Sequence, residues 1–256
     1  MIHPSAIIHP KATLAPDVRV GAYSLIGEQV RIGPGTVIGD HVRIAGRTSI
    51  GARNQIHSFC ALGGIPQDKK YHGEPTALEI GDDNTIREFC TFNIGTDEDV
   101  GVTRLGNHNW MMAYVHLAHD CQVGNHTTFA NHATLAGHVS VGDWCILGGF
   151  VGVHQFVQIG AHSFLGISAV ITQDVPPFVM VAGHPAAPHG INSEGLRRRG
   201  FEAEEISAIK QAYRKLYRSG LSLEQAREEI ALLATGTPRV QLLLDFLARS
   251  TRGIVR

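Results

Sequence analysis

An apolar, mostly aliphatic residue recurs at every sixth position of this chain. One run without a miss extends from Ile2 to Leu62, and another extends from Leu105 to Ile171. In most repeats of the first run, the next residue is Gly or Ala. A period of six matches neither the helical turn of 3.6 residues nor the strict alternation of a long strand.

This period is typical of a short strand and a tight turn that are repeated around a three-sided prism. The apolar side chain would point inward and stack on its equivalent one coil away, and the small residue would let the chain turn the corner. We therefore predict a mainly β fold, a parallel β-helix of about nine coils and about 40 Å in length. The same repeat accounts for 29 glycines and for an aromatic content of only 7%.

Two segments interrupt the repeat, one near residues 65–77 and one near residues 93–104. A solenoid accommodates insertions only as loops that project from a face or a corner, and such loops are natural places for function. We therefore expect functional residues in both.

From about residue 193 onward, the apolar period becomes helical, with Ile206 and Ile209 on one helix face. We predict a β-helix domain over residues 1–191 and an α-helical domain over residues 192–256. Part of the helical domain is expected to cover the open edge of the last coil.

The helix boundaries are also marked in the sequence. Ser222 and Gln225 have the spacing of a capping box for a helix that ends near Gly236. A last helix is predicted to end near Gly253.

The four cysteines lack the C-x-x-C spacing of a zinc ribbon or a redox motif. They are Cys60, Cys90, Cys121 and Cys145. We expect four buried, reduced thiols.

Charge and hydropathy exclude several classes of partner. The chain has 22 Lys and Arg against 23 Asp and Glu, so it has no overall basic field for nucleic acid. It has no charge-free apolar run long enough to span a bilayer, and its start lacks the features of a secretory leader. We expect a cytoplasmic protein with no membrane span.

Several short motifs resemble those of one family of hexapeptide-repeat acyltransferases. The motifs are Gln67-Asp-Lys-Lys-Tyr-His-Gly-Glu-Pro-Thr76, Glu79-Ile-Gly-Asp82, Ile86-Arg-Glu88, His116-Leu-Ala-His-Asp-Cys121, Leu135-Ala-Gly-His-Val139, Val153-His-Gln-Phe156, Glu194-Gly-Leu-Arg-Arg-Arg-Gly200 and Ser250-Thr-Arg-Gly-Ile-Val-Arg256. From end to end, the chain is similar to the UDP-N-acetylglucosamine O-acyltransferases, which begin lipid A synthesis.

The resemblance implies a left-handed parallel β-helix that assembles as a homotrimer with active sites between subunits. It implies transfer of a 3-hydroxyacyl group from the thioester of acyl carrier protein to the 3-hydroxyl of UDP-N-acetylglucosamine. No cofactor, no metal and no covalent enzyme intermediate is then expected.

The resemblance also implies three catalytic residues. A sugar hydroxyl is a poor nucleophile at neutral pH, so a positioned base such as histidine should remove its proton. His119 matches the base of the family, and Asp120 matches the carboxylate that fixes the tautomer of this base. Gly137 matches the residue whose backbone N–H would hold the thioester oxyanion.

Further residues match family positions that bind the sugar nucleotide. On the β-helix they are Gln67, Asp68, Lys70, His116, His138, His154 and Gln155. Beyond it, the residues Asn192, Glu194, Arg198 and Arg199 match those that hold the uridine and the diphosphate from a neighbouring subunit. Lys70 would offer a charge to a phosphate, and Asp68 would accept a hydrogen bond from the sugar amide. The other histidines are expected at the surface or at corners.

Two positions depart from the family pattern. Asn93 stands where the family commonly has a histidine, which leaves the role of that position open. Ile167 stands where members that use long acyl chains have Gly. A branched side chain at the floor of the acyl pocket would favour a chain of about ten rather than about fourteen carbons.

Two other functions are compatible with a hexapeptide prism. A γ-type carbonic anhydrase would also use histidines, but its H-x4-H zinc pair is absent from the coils, and stoichiometric zinc in the pure protein would favour it. A non-catalytic scaffold would need neither Asp120 beside His119 nor the loop at residues 67–76.

The two predicted domains differ in charge. Residues 1–191 carry 10 basic and 15 acidic residues, whereas residues 192–256 carry 12 basic and 8 acidic ones. Acyl carrier proteins are acidic, so this basic region, including the run from Arg197 to Arg199, either steers the donor to the enzyme or is a solvated helix face.

Overall fold

The structure, a computed structural model, describes residues 1–256 and consists of 27 short strands followed by four helices. The strands are β1 Ile7–Ile8, β2 Thr13–Leu14, β3 Arg19–Val20, β4 Leu25–Ile26, β5 Arg31–Ile32, β6 Val37–Ile38, β7 Arg43–Ile44, β8 Arg47–Ile50, β9 Gln55–Ile56, β10 Ala61–Gly64, β11 Ala77–Ile80, β12 Thr85–Ile86, β13 Thr91–Asn93, β14 Val102–Leu105, β15 Trp110–Met111, β16 His116–Leu117, β17 Gln122–Val123, β18 Thr128–Phe129, β19 Thr134–Leu135, β20 Ser140–Val141, β21 Ile146–Leu147, β22 Gly152–Val153, β23 Gln158–Ile159, β24 Phe164–Leu165, β25 Val170–Ile171, β26 Val179–Ala182 and β27 Ala187–Ile191. The helices are α1 Ser193–Arg198, α2 Ala203–Tyr217, α3 Leu223–Gly236 and α4 Pro238–Arg249.

Three parallel sheets form the sides of a prism. The first contains β1 and every third strand up to β25, the second runs likewise from β2 to β23, and the third runs from β3 to β24 and ends in β26 and the antiparallel β27. Neighbouring strands of a sheet are one coil apart, so Ile8 pairs with Ile26 and Ile26 pairs with Ile44. The predicted three-repeat coil is therefore confirmed.

The repeat positions form one continuous core along the prism axis. Ile26, Ile44 and Leu62 are almost completely buried, whereas Ile2 in the first coil is 48% exposed because no coil covers it. The small residues after them are required by the stacking of the coils. A Cβ on Gly33 would lie 2.7 Å from the carbonyl carbon of Gly51, closer than two unbonded carbons can approach.

The prism has three corners, which we number in the order in which the chain turns from one sheet to the next. Corner I joins the third sheet to the first, corner II joins the first to the second, and corner III joins the second to the third. At most of the corner turns, one residue has a positive φ, a conformation that His, Asn and Asp tolerate better than most residues. Six of the fifteen histidines occupy such positions, namely His41, His108, His126, His132, His138 and His162.

The corner residues stack ring on ring from coil to coil. The stack at corner I is Tyr23, His41, Phe59, Phe89, Tyr114, His132 and Phe150. The stack at corner III is His108, His126, Trp144, His162 and Phe178. At corner II only His138 and Phe156 stack, and the corner residue of the preceding coil is Asp120.

Both interruptions of the repeat project from corner II, in consecutive coils. Residues 65–76 connect β10 to β11, and residues 94–101 connect β13 to β14. Because β10 and β13 are neighbours in the first sheet, and β16 is the next strand, the two loops lie beside the turn that carries His119.

The helices pack against the last coils. Phe178 of corner III belongs to the apolar cluster of the helices, and Asp174 forms a β-bridge with Ile254 near the C-terminus.

The predicted capping box is confirmed, since Ser222 caps α3 and Gln225 bonds back to it. The predicted end of the last helix near Gly253 is wrong: α4 ends at Arg249, where the chain turns back and the Ser250 hydroxyl donates to Asp174.

The cysteines agree with the expectation of four buried thiols. All four cysteines are free and buried, and burial raises the pKa of Cys121 and of Cys145 to about 12. These thiols are therefore poor nucleophiles. None of the four helices has the length and the apolar character that a bilayer crossing requires.

Candidate active site

Corner II brings the three expected catalytic residues together. His119 and Asp120 follow β16, and Gly137 follows β19, the neighbouring strand of the first sheet. The turn of one coil therefore faces the turn of the next, and the hydrogen bond from the His138 N–H to the His119 carbonyl (3.0 Å) joins them.

His119 and Asp120 form a hydrogen-bonded pair. The His119 Nδ1 lies 3.0 Å from the Asp120 Oδ2, and the Asp120 side chain is completely buried. A carboxylate can only accept, so Nδ1 carries the proton and donates it. The His119 Nε2 makes no hydrogen bond within the chain and keeps a lone pair for a substrate proton.

The carboxylate of Asp120 is held by more than the histidine. Its Oδ2 also accepts from the Thr96 N–H (2.9 Å) and from the Thr96 hydroxyl (2.7 Å), both in the loop of residues 94–101. Burial raises the pKa of Asp120, but the hydrogen bonds from His119 and Thr96 outweigh it and hold this pKa below its ordinary value. Asp120 is therefore ionised at neutral pH and stabilises a protonated His119.

Gly137 lies directly against the imidazole of His119. A Cβ at this position would be 2.5 Å from the His119 Cε1 and 2.6 Å from its Nε2, so any side chain would displace the ring. The backbone N–H of Gly137 donates no hydrogen bond within the chain, whereas its carbonyl accepts from the Phe156 N–H. A free donor thus stands beside the free nitrogen of the base.

His138 is the second histidine of corner II. Its ring stacks on Phe156 with the centroids 4.3 Å apart, and it meets the His119 ring edge-on at 4.8 Å. Its Nδ1 lies 2.8 Å from the Oδ2 of Asp99, in the loop of residues 94–101.

The remaining β-helix residues surround this corner. His116 faces outward from β16 with its Nδ1 2.7 Å from the Thr91 hydroxyl, and burial lowers its pKa, so it is neutral at neutral pH. His154 and Gln155 are exposed in the turn after β22, two coils beyond His119. These side chains extend the polar surface along the first sheet.

The loop of residues 65–76 contributes the other three. Gln67 and Lys70 are exposed, and the Lys70 Nζ lies 3.2 Å from Glu98, a surface pair that is weak enough for a phosphate to replace. The pKa of Asp68 is lowered by a hydrogen bond from the Lys70 N–H and by charges that include the nearby His119. Asp68 lies in the loop beside corner II, where its Oδ1 accepts from the Lys70 N–H at 3.0 Å.

The four residues of the helical region are not brought to corner II within one chain. Asn192 is buried and caps α1 by accepting from the Gly195 N–H (3.0 Å). Glu194 pairs with Arg198 at 3.1 Å. Arg199 lies at corner III, where its guanidinium is 5.4 Å from the centroid of the Trp144 ring.

The two departures from the family pattern occupy different corners. Asn93 is buried and its amide donates to the Ile65 carbonyl (3.0 Å), so it joins the two loops, while its Oδ1 has no partner. Ile167 is 73% exposed in the turn of corner I that precedes β25. Ile167 is therefore on the edge of the first sheet opposite His119.

His119, Asp120 and His138 could together offer three ligands to a metal, because their donor atoms lie within 4.8 Å of one another. However, the Asp120 Oδ2 already accepts from His119 and twice from Thr96. The Asp120 Oδ1 and the His119 Nε2 have no partner within the chain, whereas the three hydrogen bonds on Oδ2 are those of an oriented proton-transfer pair, so metal analysis of the pure protein distinguishes the two kinds of site.

The well-formed cavities of a single chain lie away from this chemistry. One of about 580 Å³ is lined by Lys11, Arg31 and other residues of the first coils and of the second sheet. The distances between the residues of corner II, and not this cavity, identify the site.

Comparison with known proteins identifies the family. Residues 103–137 match the bacterial transferase hexapeptide model, and residues 174–255 match the model of UDP N-acetylglucosamine O-acyltransferase, domain 2. The acyl-[acyl-carrier-protein]–UDP-N-acetylglucosamine O-acyltransferase of Thiobacillus denitrificans is 64% identical over 255 residues, which cover 100% of this chain and 99% of the relative. The chain belongs to this family of O-acyltransferases.

Solved structures of this family agree along the whole length. The UDP-N-acetylglucosamine O-acyltransferase of Moraxella catarrhalis is 46% identical with a TM-score of 0.98, covering 100% of this chain and 99% of that one. The Arabidopsis UDP-N-acetylglucosamine acyltransferase is 35% identical with a TM-score of 0.84, covering 100% of both chains. The expected left-handed β-helix with C-terminal helices is confirmed, and the chain is an acyltransferase.

Two residues of the site, and the aromatic partner of Arg199 at corner III, were not identified from the sequence. Thr96 and Asp99 lie in an insertion whose side-chain directions the repeat does not define, although the insertion itself was visible. Trp144 is one of only two tryptophans, and its place in the corner III stack follows from the six-residue phase.

Proposed function

We propose that this O-acyltransferase transfers a 3-hydroxyacyl group from acyl carrier protein to the 3-hydroxyl of UDP-N-acetylglucosamine, in the cytoplasm, at the start of lipid A synthesis. The observation that carries the proposal is the His119–Asp120 pair, whose free Nε2 lies beside the unpaired N–H of Gly137. Acyl transfer to an alcohol needs this combination of a base and an oxyanion donor.

The reaction proceeds by direct attack. The His119 Nε2 removes the proton of the sugar 3-hydroxyl as its oxygen bonds to the thioester carbonyl carbon, and Asp120 stabilises the imidazolium. The Gly137 N–H donates to the oxyanion of the tetrahedral intermediate. When the C–S bond breaks, the thiolate leaves with the electron pair and takes the proton from His119, so the base is regenerated without a covalent enzyme intermediate, cofactor or metal.

The sugar nucleotide binds between subunits of a homotrimer. Polar contacts to the sugar and a phosphate come from side chains around corner II of one subunit. These are Gln67, Asp68, Lys70, His116, His138, His154 and Gln155. The four residues of the helical region lie away from corner II of the same chain, which supports their contribution from a neighbouring subunit. They are Asn192, Glu194, Arg198 and Arg199.

The first sheet provides a path for the acyl chain. From Gly137 toward Ile167 the sheet passes through β22, where Gly152 faces outward and a Cβ on it would have nothing within 4 Å. Ile167 lies two coils from Gly137 along the prism axis, about 10 Å away in that direction. Its side chain would close the path, and each buried methylene contributes about 0.8 kcal/mol, so we expect a preference for about ten over about fourteen carbons.

The test is transfer to UDP-N-acetylglucosamine from 3-hydroxyacyl carrier proteins of graded chain length. We expect ester formation at the 3-hydroxyl, fastest with the shorter donors. Ile167→Gly should shift the optimum toward longer donors, whereas Ile7→Gly, an equally exposed isoleucine of the first coil, should not. No transfer with any donor, or stoichiometric zinc in the pure protein, would contradict the proposed function. Fastest transfer of the longest chain by the unmodified enzyme would contradict the role of Ile167.

A further inference from the structure

The loop of residues 94–101 reaches corner II with two side chains. Thr96 holds Asp120 and, through it, His119. Asp99, three residues further on, accepts a hydrogen bond of 2.8 Å from the Nδ1 of His138. His119 and His138 therefore each have a carboxylate partner at Nδ1.

We propose that Asp99 is a positioning residue of the acyl-transfer site, which fixes the tautomer and the ring orientation of His138. The inference rests on the proposed function, in which the free Nε2 of His138 contacts the sugar nucleotide. The loop of residues 94–101 is then the segment that orients both histidines.

Stacking alone cannot fix this ring. The His138 ring lies flat on Phe156, with 4° between the planes, but a half turn about its terminal torsion keeps the same stacking and exchanges Nδ1 with a carbon. The Asp120 Oδ2 is 3.9 Å from the His138 Nδ1, too far for a hydrogen bond. Asp99 is the group that distinguishes the two orientations.

The carboxylate also selects the tautomer. Because the Asp99 carboxylate can only accept a hydrogen bond, the His138 Nδ1 carries the proton, and Nε2 is left as the acceptor in the neutral ring. The His138 side chain is 7% exposed, whereas that of Asp99 is 43% exposed. Asp99 is therefore not part of the core, and its removal should leave the fold intact while releasing the ring.

Asp99→Ala tests this role, with Asp97→Ala as the matched control, because Asp97 is exposed in the same loop and its side chain bonds to nothing. We expect kcat/KM for UDP-N-acetylglucosamine to fall about tenfold in Asp99→Ala and to stay unchanged in Asp97→Ala. Asp99→Asn, whose amide oxygen still accepts, should recover most of the loss.

Nitrogen NMR of the His138 ring, assigned with His138→Gln, provides a readout that does not depend on activity. The unmodified protein should show one tautomer with Nδ1 protonated, and Asp99→Ala should show a mixture. Equal losses of activity in Asp97→Ala and Asp99→Ala would overturn the inference, and so would an unchanged tautomer, or a changed tautomer with full activity. Failure of the proposed function would differ, since the unmodified enzyme would then show no transfer.

Discussion

Corners II and III carry histidines on the same prism but in different surroundings. At corner III, the His126 ring lies between those of His108 and Trp144, at 4.8 and 4.1 Å, and the planes are almost parallel. At corner II the stack ends at Asp120, whose carboxylate turns to the histidine before it. One aspartate at a left-handed corner position, which this residue tolerates, therefore separates a column of stacked rings from a hydrogen-bonded His–Asp pair.

The insertions complete this difference. Both loops project from corner II and none projects from corner III, so only corner II receives donors such as Thr96 and carboxylates such as Asp68 and Asp99. The coil itself supplies the spacing of about 4.8 Å between consecutive turns. The loops supply charged side chains, such as Asp68 and Asp99, in addition to those of the six-residue repeat.

The largest effect should come from removing the base. His119→Ala should lower kcat by about 10² to 10⁴-fold, because the positioned base that takes the hydroxyl proton is then lost. His132→Ala, which removes a stacked ring at corner I between Tyr114 and Phe150, should keep nearly full activity. Steady-state rates at saturating donor would measure both. Comparable rates for the two variants would remove the distinction between stacked and paired histidines.

Gly137→Ala should have the second-largest effect. Its new methyl would displace the His119 ring, which lies within 2.6 Å, and would also disturb the oxyanion donor, so we expect kcat to fall about 10²-fold. The ring is at the end of a side chain and can move, so the melting temperature should change little. Gly236→Ala, at the end of α3 where a Cβ has nothing within 4 Å, is the control for an added methyl. Normal turnover in Gly137→Ala would contradict the placement of the base.

The fold could be predicted from the sequence because the spacing of apolar residues and the position of the small residues both require the same arrangement of stacked coils. An apolar residue every six positions, with Gly at positions such as Gly33, leaves no alternative to stacked coils. The capping box of Ser222 and Gln225 was equally local. The end of α4 could not be predicted locally, because the chain turns back where Ser250 contacts Asp174, a residue 76 positions away.

The site was predicted only in part, for the same reason. The family resemblance indicated His119, Asp120 and Gly137, which lie in the coils, where the phase of the repeat fixes which turns meet. Thr96 and Asp99 lie in a loop outside the phase, where side-chain direction depends on contacts that no local pattern records. The separation of Arg199 from corner II, likewise, is visible only in three dimensions.

The smallest predicted effect concerns a histidine of corner III without a carboxylate partner. His162 is buried against Arg199, whose guanidinium donates to its Nδ1 at 3.2 Å. Burial, together with the charges of Arg199 and Arg239, lowers the pKa of His162 to about 4, and Asp143 opposes this shift only weakly. The folded state therefore resists protonation of this ring, whereas the unfolded chain accepts the proton near pH 6.5.

The stabilisation by neutral His162 is complete above about pH 6.5 and is lost as the pH falls toward 4. Between pH 7.5 and 5, this residue should lower the free energy of unfolding by about 2 kcal/mol. His162→Phe keeps a ring in the stack and removes the titration, so its urea unfolding should be less sensitive to pH by that amount. Groups such as Asp120 titrate alike in both proteins and cancel in the difference. Equal pH dependence of the two proteins would mean that His162, despite its buried and cationic surroundings, is not held neutral by the fold.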